Sequence, residues 1–146
     1  MGESVVPSRQ LNIGDLNSVK RLPSITGSLA MGGQEHFYLE GQIAYALPTE
    51  RGVKVFSSTQ HPSEVQAAVA EVCGLAFSDV QVETRRMGGG FGGKESQAMP
   101  CAMAASLLAL KTRKPVKLRL DRDDDFLTTG KRHEFDVGQR PARTVT

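Results

Sequence analysis

The stretch MGGGFGGKE, residues 87–95, holds five glycines in six consecutive positions around Phe91. The alternating apolar pattern of residues 80–84 before it predicts a strand, and the Ala- and Leu-rich segment 95–111 after it predicts a helix. Because glycine has no Cβ, the backbone amides of such a turn can approach a ligand closely. The helix N-terminus adds unpaired N–H groups and partial positive charge, which favours an oxygen-rich or anionic ligand.

The segments on either side of this stretch indicate the fold class. Residues 43–57 alternate around the turn sequence PTERG and predict a β-hairpin. Residues 63–73 have helical spacing, with Ser63 and Gln66 in capping-box register and a glycine in the stop position. Alternation resumes at residues 116–120 and predicts another strand. We therefore expect an α/β (α+β) fold, a mixed sheet with a hairpin packed by two helices, with Pro100 near the start of the second helix.

Composition excludes several classes of function. The chain has 146 residues, of which 39% are hydrophobic, so a single globular domain or part of one is expected. Its 18 basic and 16 acidic side chains are balanced, which gives no nucleic-acid footprint. The longest apolar stretch, Ala98 to Leu110, is shorter than the roughly 20 residues of a membrane span. Since no secretory signal is recognisable, the predicted location is cytoplasmic.

The two cysteines carry no recognisable site. Cys73 and Cys101 lack the paired spacing of a zinc site or a disulfide framework. We expect both to be small buried side chains.

Three interpretations of the glycine stretch follow from its residues alone. Gly88, Gly93 and Lys94 satisfy GxxxxGK, but a phosphate loop needs Ser or Thr next, and Glu95 would repel phosphate. The same stretch satisfies GxGxxG, yet the nearest strand-end acid, Asp121, lies 28 residues beyond Gly93 rather than about 20. A dinucleotide-binding domain therefore stays an alternative, as does a purely structural turn.

Two further segments accompany the glycine stretch. GGQEHFYLE, residues 32–40, offers the uncharged amide of Gln34, and KPVKLRLDRDDDFLTTGKRHEF occupies residues 114–135. Together with RMGGGFGGKE, residues 86–95, they resemble the molybdenum-cofactor (molybdopterin)-binding portion of the xanthine dehydrogenase and aldehyde oxidase family. We then expect a loop-rich lead-in over residues 1–23 and a partial molybdopterin-binding domain over residues 24–136, with a short strand near residues 28–31. Residues 137–146 are expected to form an atypical tail that does not continue the strand after RHEF.

The resemblance implies a molybdenum hydroxylase that hydroxylates purines, hypoxanthine or xanthine, with oxygen from water, and it assigns roles to individual residues. By the family pattern Gln34 hydrogen-bonds an oxygen ligand of the metal, a role that a neutral amide can fill. Gly90, Phe91 and Gly92 form the cofactor-binding loop, so Gln34 and Phe91 stand next to the ligands of the molybdenum. Glu95 matches the substrate-binding glutamate of xanthine-oxidising members, which favours a purine over an aldehyde; the alternative is an acid that starts a helix.

Parts of the family's machinery cannot be located in this chain. The general-base glutamate and an arginine-bearing second glycine-rich segment are missing, so no catalytic residue is assigned and the chain is expected to be a partial enzyme, inactive alone. A non-catalytic truncated remnant or a subunit-interaction module is the alternative. Because two lone cysteines cannot hold an iron–sulfur cluster, 2Fe-2S and FAD are expected only on partner domains or subunits.

Other conspicuous residues are interpreted as structural. The run Asp123–Asp125 is expected to form a solvated helix N-terminus after Asp121 rather than a cation site. His36 is expected to be packed or hydrogen-bonded, and Lys94 to pack or pair locally. Arg85 and Arg86 end the strand before the loop, and one of them is expected to form a salt bridge with Glu83 rather than to bind a pterin phosphate.

Overall fold

The structure, a computed structural model, describes residues 11, 13–15, 17 and 25–139. The chain divides into two compact units: residues 33–133, and the segments that precede and follow them. Most of the predicted lead-in and of the predicted tail lies outside the described residues. In chain order the elements are β1 (Gly27–Met31), β2 (Ile43–Pro48), β3 (Val53–Ser57), α1 (Pro62–Cys73), a 3-10 turn (Phe77–Asp79), β4 (Val80–Glu83), α2 (Met99–Thr112), β5 (Val116–Arg119), α3 (Arg122–Thr128) and β6 (Phe135–Gln139).

The unit formed by residues 33–133 is built on a four-stranded mixed sheet in the order β4-β3-β2-β5. Strands β2 and β3 form the predicted antiparallel hairpin, with Tyr45 opposite Phe56. β5 joins β2 antiparallel, whereas β4 joins β3 parallel. The expected fold class is confirmed. Because β4 and β5 lie at opposite edges, the glycine stretch does not sit in a βαβ unit of adjacent strands, and the dinucleotide interpretation is wrong.

An apolar core lies between this sheet and the helices α1 and α2. Helix α2 packs on β2, β3, β5 and α1, and α1 also contacts β4. Small and β-branched side chains fill the core, which lets helix and sheet approach closely. Its buried members include Ala44, Ala46, Val53, Val55, Val65, Val69, Ala102 and Ala105. Cys101 is buried as expected, but Cys73 is only partly buried; burial raises the pKa of both thiols.

The helix ends show where local signals succeeded and failed. Helix α1 ends at Cys73, and the following Gly74, with a left-handed φ of 64°, caps it at the predicted stop. The predicted capping box is wrong, because the Gln66 side chain donates to the carbonyls of Phe77 (3.0 Å) and Val80 (2.8 Å) instead. Helix α2 starts only at Met99, one residue before Pro100, so its first turn contains the proline as expected. No helix in the described ranges is long and apolar enough to cross a membrane.

The second unit contains a two-stranded antiparallel sheet. β1 pairs with β6 from Gly27 opposite Gln139 to Met31 opposite Phe135. The strand expected near residues 28–31 is confirmed. The expectation that the chain would not continue the strand after RHEF is wrong, because β6 runs on to Gln139.

Candidate cofactor-binding site

The glycine loop, residues 88–93, packs on the GGQEHFYLE segment, residues 32–40. A Cβ built at Gly93 would lie 2.6 Å from Tyr38 Cε1 and 2.8 Å from His36 Cγ. A Cβ at Gly88 would lie 1.4 Å from Glu40 Oε2. Glycine is therefore needed at both positions for the two motifs to touch, and His36 is a packed histidine, as expected.

The tip of the loop is a tight turn with an unusual residue in it. The Gly93 amide donates to the Gly90 carbonyl at 2.7 Å, and the two residues between them, Phe91 and Gly92, have φ of +53° and +89°. Positive φ at both central positions suits Gly or Asn and is unfavourable for a phenylalanine. The Phe91 side chain is nevertheless 72% exposed, so no burial of its own ring explains the conformation.

Gln60 and Thr59 fasten the end of the glycine loop. The Gln60 side-chain oxygen accepts from the backbone amides of Gly92 (3.0 Å) and Lys94 (3.2 Å), and the Gln60 backbone amide donates to the Lys94 carbonyl at 2.8 Å. The Thr59 hydroxyl donates to the same carbonyl at 3.1 Å. Neither residue is among the site residues predicted from the sequence. Because β3 and β4 are parallel, the segments that follow them leave the same end of the sheet. This proximity can be predicted only once the pairing of β3 and β4 is known.

Lys94 is fully buried beneath the loop. Its ammonium donates to the Ser58 hydroxyl at 2.8 Å and to the Met87 carbonyl, and it lies 4.7 Å from the centre of the Tyr38 ring. Burial lowers the pKa of Lys94, although the Glu40 and Asp125 carboxylates oppose that shift. The expectation that Lys94 packs locally is confirmed.

Tyr38 links the loop to helix α3. Its hydroxyl donates to Asp125 Oδ1 at 2.7 Å and accepts from Gln42 Nε2 at 2.8 Å, and the same Gln42 nitrogen donates to the Gly93 carbonyl at 2.8 Å. Burial and the Asp125 carboxylate raise the pKa of Tyr38 to about 12. Asp121 caps α3 through the Asp124 amide as expected, but a fully solvated acidic run is wrong, since Asp125 is buried.

Residues 114–135, the third segment of the family resemblance, also contact GGQEHFYLE. Arg122 donates to the carbonyls of Tyr38 (3.0 Å) and Leu39 (2.6 Å). Gln34 and Arg132 form a bridge through two backbone hydrogen bonds, of 3.2 and 2.8 Å. Gln34 precedes His36 by two residues, so the Cα atoms of the two residues lie within about 7 Å of each other. Since His36 contacts the glycine loop, Gln34 lies close to the loop as well.

The predicted cofactor-binding residues lie in the glycine loop and in the segment that packs on it, but they differ in burial. Gly90 is buried against Gln60, Phe91 and Gln34 are exposed, and Gly92 is half-buried. The Gly92 amide is already bound to Gln60, whereas no described residue forms a hydrogen bond with the amides of Gly90 or Phe91. Their roles toward a cofactor stay predictions.

Glu95 is exposed beside the loop. Its carboxylate lies 4.0 Å from His61 Nε2. Because α2 starts only at Met99, Glu95 is not in the first turn of that helix, and the helix-start interpretation is wrong. Among the described residues, no group of three or more His, Cys, Asp or Glu side chains could hold a metal ion.

Comparison with known proteins places this arrangement in a family. The model of the molybdopterin cofactor-binding domain matches residues 3–142. The chain belongs to that family. It is 52% identical over 110 residues to the xanthine dehydrogenase of Drosophila subobscura, and 45% identical over 112 residues to the nicotinate hydroxylase of Emericella nidulans. Each alignment covers 75% of this chain and 8% of the relative, so the chain spans under a tenth of the length of these relatives.

Solved structures show the same domain. The quinoline 2-oxidoreductase of Pseudomonas putida 86 superposes with a TM-score of 0.66 at 25% identity, over 80% of this chain and 15% of that one. The expected resemblance to the xanthine dehydrogenase and aldehyde oxidase family is thereby confirmed, together with the fold.

The residues present in this molybdopterin-binding domain fit such a cofactor. An oxygen-rich ligand needs neutral donors at close range, and the amides of Gly90 and Phe91 have no partner among the described residues. A Cβ at Gly92 would be in ordinary van der Waals contact with His36, 3.7 Å from Nε2, so no side chain crowds this position of the loop. No acidic side chain occurs within residues 88–93.

Proposed function

We propose that this chain forms one wall of the cofactor site in a molybdenum hydroxylase that acts on purines, hypoxanthine or xanthine. The observation that carries the proposal is the direct packing of the glycine loop on the GGQEHFYLE segment, because it gathers neutral donors from two distant parts of the sequence. When bound, molybdopterin supplies the molybdenum at which a substrate carbon is hydroxylated with oxygen from water.

The chain's own contribution is to bind and orient that cofactor. The amides of Gly90 and Phe91 donate to its oxygen atoms, and preorganised donors of this kind need no rearrangement when charge develops. The carboxamide of Gln34 donates to an oxygen ligand of the metal without adding charge. Gly92 contributes as backbone, since glycine adopts its φ of +89° at no steric cost.

Glu95 is assigned to the substrate. It follows the buried Lys94 directly and its carboxylate is exposed, so it can accept hydrogen bonds from ring N–H groups. Relatives named for nicotinate, quinoline and xanthine all carry nitrogen heterocycles in their names, which supports a heterocyclic substrate. An exposed carboxylate at this position favours a purine over an aldehyde.

The remaining functions belong to partner domains or subunits. The described residues offer no metal-binding cluster, and two separate cysteines cannot ligate a 2Fe-2S centre. Iron–sulfur and FAD groups on partners would accept the electrons, and the general base would also come from elsewhere. The chain alone is therefore expected to bind the cofactor without turnover. Its location is expected to be the cytoplasm.

The first test measures molybdenum and pterin per chain after expression in cells that make the cofactor. Wild-type protein should contain both in stoichiometric amounts, and Gln34→Ala should contain less. Gln81→Ala is the matched control, because Gln81 is an exposed glutamine on β4 and belongs to neither motif segment. Wild-type protein devoid of molybdenum and pterin would favour the truncated remnant or subunit-interaction module.

The second test addresses the substrate in the assembled holoenzyme. Glu95→Ala should raise the KM for a purine more than the KM for an aldehyde, because only the purine offers ring N–H donors to the carboxylate. Glu64→Ala is the control, since Glu64 also faces His61, at 3.7 Å, but lies on α1. An equal loss on both substrates would remove the purine assignment.

A further inference from the structure

We propose that Gln60 is a positioning residue that holds Phe91 in its left-handed conformation, so that the glycine loop presents the amides of Gly90 and Phe91 to the cofactor. The second half of this proposal rests on the function proposed above. The first half concerns the chain by itself and stands on its own contacts.

The strain in the turn requires an external support. Phe91 has a φ of +53°, a conformation that is unfavourable for a bulky L-residue. Such a conformation persists only where surrounding contacts over-determine it. The Phe91 ring is exposed and lies over its neighbour Gly89, where a Cβ would be 3.0 Å from Phe91 Cε2, so burial of the ring does not hold the conformation. The support must therefore act on the backbone.

Gln60 acts on that backbone at two points. Its side-chain oxygen bridges the amides of Gly92, the second central residue of the strained turn, and of Lys94, the residue immediately after the turn, at 3.0 and 3.2 Å. The Gln60 backbone amide donates to the Lys94 carbonyl at 2.8 Å, a bond that a substitution of the side chain leaves in place. A carboxamide oxygen has two lone pairs, which suits one acceptor for two donors.

The same side chain also limits how the loop can move. A Cβ at Gly90 would lie 2.5 Å from the Gln60 oxygen, so the carboxamide fills the space that a loop side chain would otherwise take. Lys94 is anchored below by Ser58 and Met87 and cannot follow a displaced loop. Gln60 therefore decides which amides turn inward, those of Gly92 and Lys94, and which are left for a ligand.

The first measurement is amide hydrogen exchange by NMR on the full chain without cofactor. In Gln60→Leu, the amides of Gly92 and Lys94 should exchange at least about tenfold faster than in wild type, because each loses its acceptor. The strong intraresidue contact between the amide and α protons of Phe91, which marks positive φ, should also weaken. The amides of Val55 and Val69 report whether the core is intact.

Two further variants make the exchange measurement decisive. Gln66→Leu also removes two hydrogen bonds of a glutamine side chain, but those bonds reach Phe77 and Val80, so loop exchange should not change. Gln60→Glu keeps an acceptor for both amides and should retain wild-type protection, even if Gln60→Leu does not fold. Wild-type protection in folded Gln60→Leu, or loss of protection in folded Gln60→Glu, would overturn the proposal.

The second measurement is cofactor content. Gln60→Leu should carry less molybdenum and pterin per chain than Gln66→Leu. If loop exchange accelerates in Gln60→Leu but its cofactor content equals that of wild type, positioning for the cofactor is refuted. If the wild-type chain carries no cofactor, the function proposed above fails instead, and the exchange rates still decide whether Gln60 holds the loop.

Discussion

Two buried regions of this domain are held together by different physics. The apolar core between the sheet and helices α1 and α2 contains valines, alanines and Cys101. The polar cluster beneath the glycine loop consists of Tyr38, Gln42, Ser58, Lys94 and Asp125, all of them buried. Apolar contacts are non-directional, so core positions best tolerate apolar side chains of similar volume. Each member of the polar cluster, in contrast, depends on a particular partner at hydrogen-bond distance.

This contrast separates stability from positioning. The apolar core supplies most of the free energy of folding, whereas a buried polar cluster contributes little net stability once desolvation is counted. Its value is directional: Gln42 holds the Gly93 carbonyl and Lys94 holds the Met87 carbonyl, one at each end of the loop. The following predictions test whether the two regions respond differently to substitution.

The largest effect is expected from a charge placed in the apolar core. Val55 is fully buried among apolar side chains, so Val55→Lys would bury an ammonium without a partner. The penalty of several kcal/mol is a large part of a typical total stability of about 5–15 kcal/mol, and we expect the chain not to fold. Circular dichroism and urea denaturation would show this. A folded Val55→Lys would mean that the core is not dry and that the contrast with Lys94 is false.

A smaller but local effect is expected at the contact between the two motifs. In Gly93→Ala the new methyl group would overlap the rings of Tyr38 and His36, which should cost about 1–3 kcal/mol and shift the loop. Gly32→Ala is the matched control, because nothing lies within 4 Å of a Cβ there. Denaturation curves measure the cost, and NMR shifts of the loop amides report its displacement. Equal, small effects in both variants would contradict the close packing described above.

The sequence predicted the apolar region well and the polar one poorly, for a physical reason. Period-two alternation located the hairpin of residues 43–57, and helical spacing located α1, because burying one face imposes a repeat along the chain. Polar contacts impose none. Tyr38 and Asp125 are 87 positions apart, and nothing in the run of three aspartates indicates which of them turns inward.

The candidate site divides in the same way. Resemblance to a family supplied Gln34, the loop and Glu95, and the structure shows that the segments bearing them pack together. Gln60 was missed because it belongs to no motif and acts only once the parallel pairing of β3 and β4 brings it beside the loop. The capping box failed for a related reason, since the tertiary partners of Gln66 outcompete its own helix terminus.

Within the polar cluster, Tyr38→Phe should cost about 1–3 kcal/mol, because Asp125 and Gln42 each lose a buried partner while the packing of the ring is kept. Urea denaturation at neutral pH measures this cost. Phe56→Leu, in contrast, alters a half-buried ring on the sheet and should leave the cluster unchanged. A neutral Tyr38→Phe would show that the hydroxyl is not part of the support.

The same variant predicts a pH dependence. The pKa of Tyr38 is raised to about 12 in the folded state from its ordinary value near 10, so the stability it contributes is complete below pH 10 and is lost as the pH rises from 10 to 12. Lys94, whose pKa is lowered by burial, shifts stability in the opposite direction but is present in both proteins. Wild type should therefore lose stability more steeply than Tyr38→Phe over this range. Parallel curves would contradict the raised pKa.

The smallest effect is expected where charges pair at the surface. Glu83 accepts from Arg85 at 2.8 Å, as expected from the sequence, and lies 3.1 Å from Lys54. Arg85 and then Lys54 lower the pKa of Glu83, so any stability from these pairs is present at neutral pH and is lost as the pH falls through that lowered pKa. Because water and salt screen exposed charges, Glu83→Gln should leave the unfolding midpoint at pH 7 and physiological salt unchanged. A clear loss that persists at high salt would place this surface pair closer to the Lys94 cluster in character and weaken the distinction between buried and exposed charge.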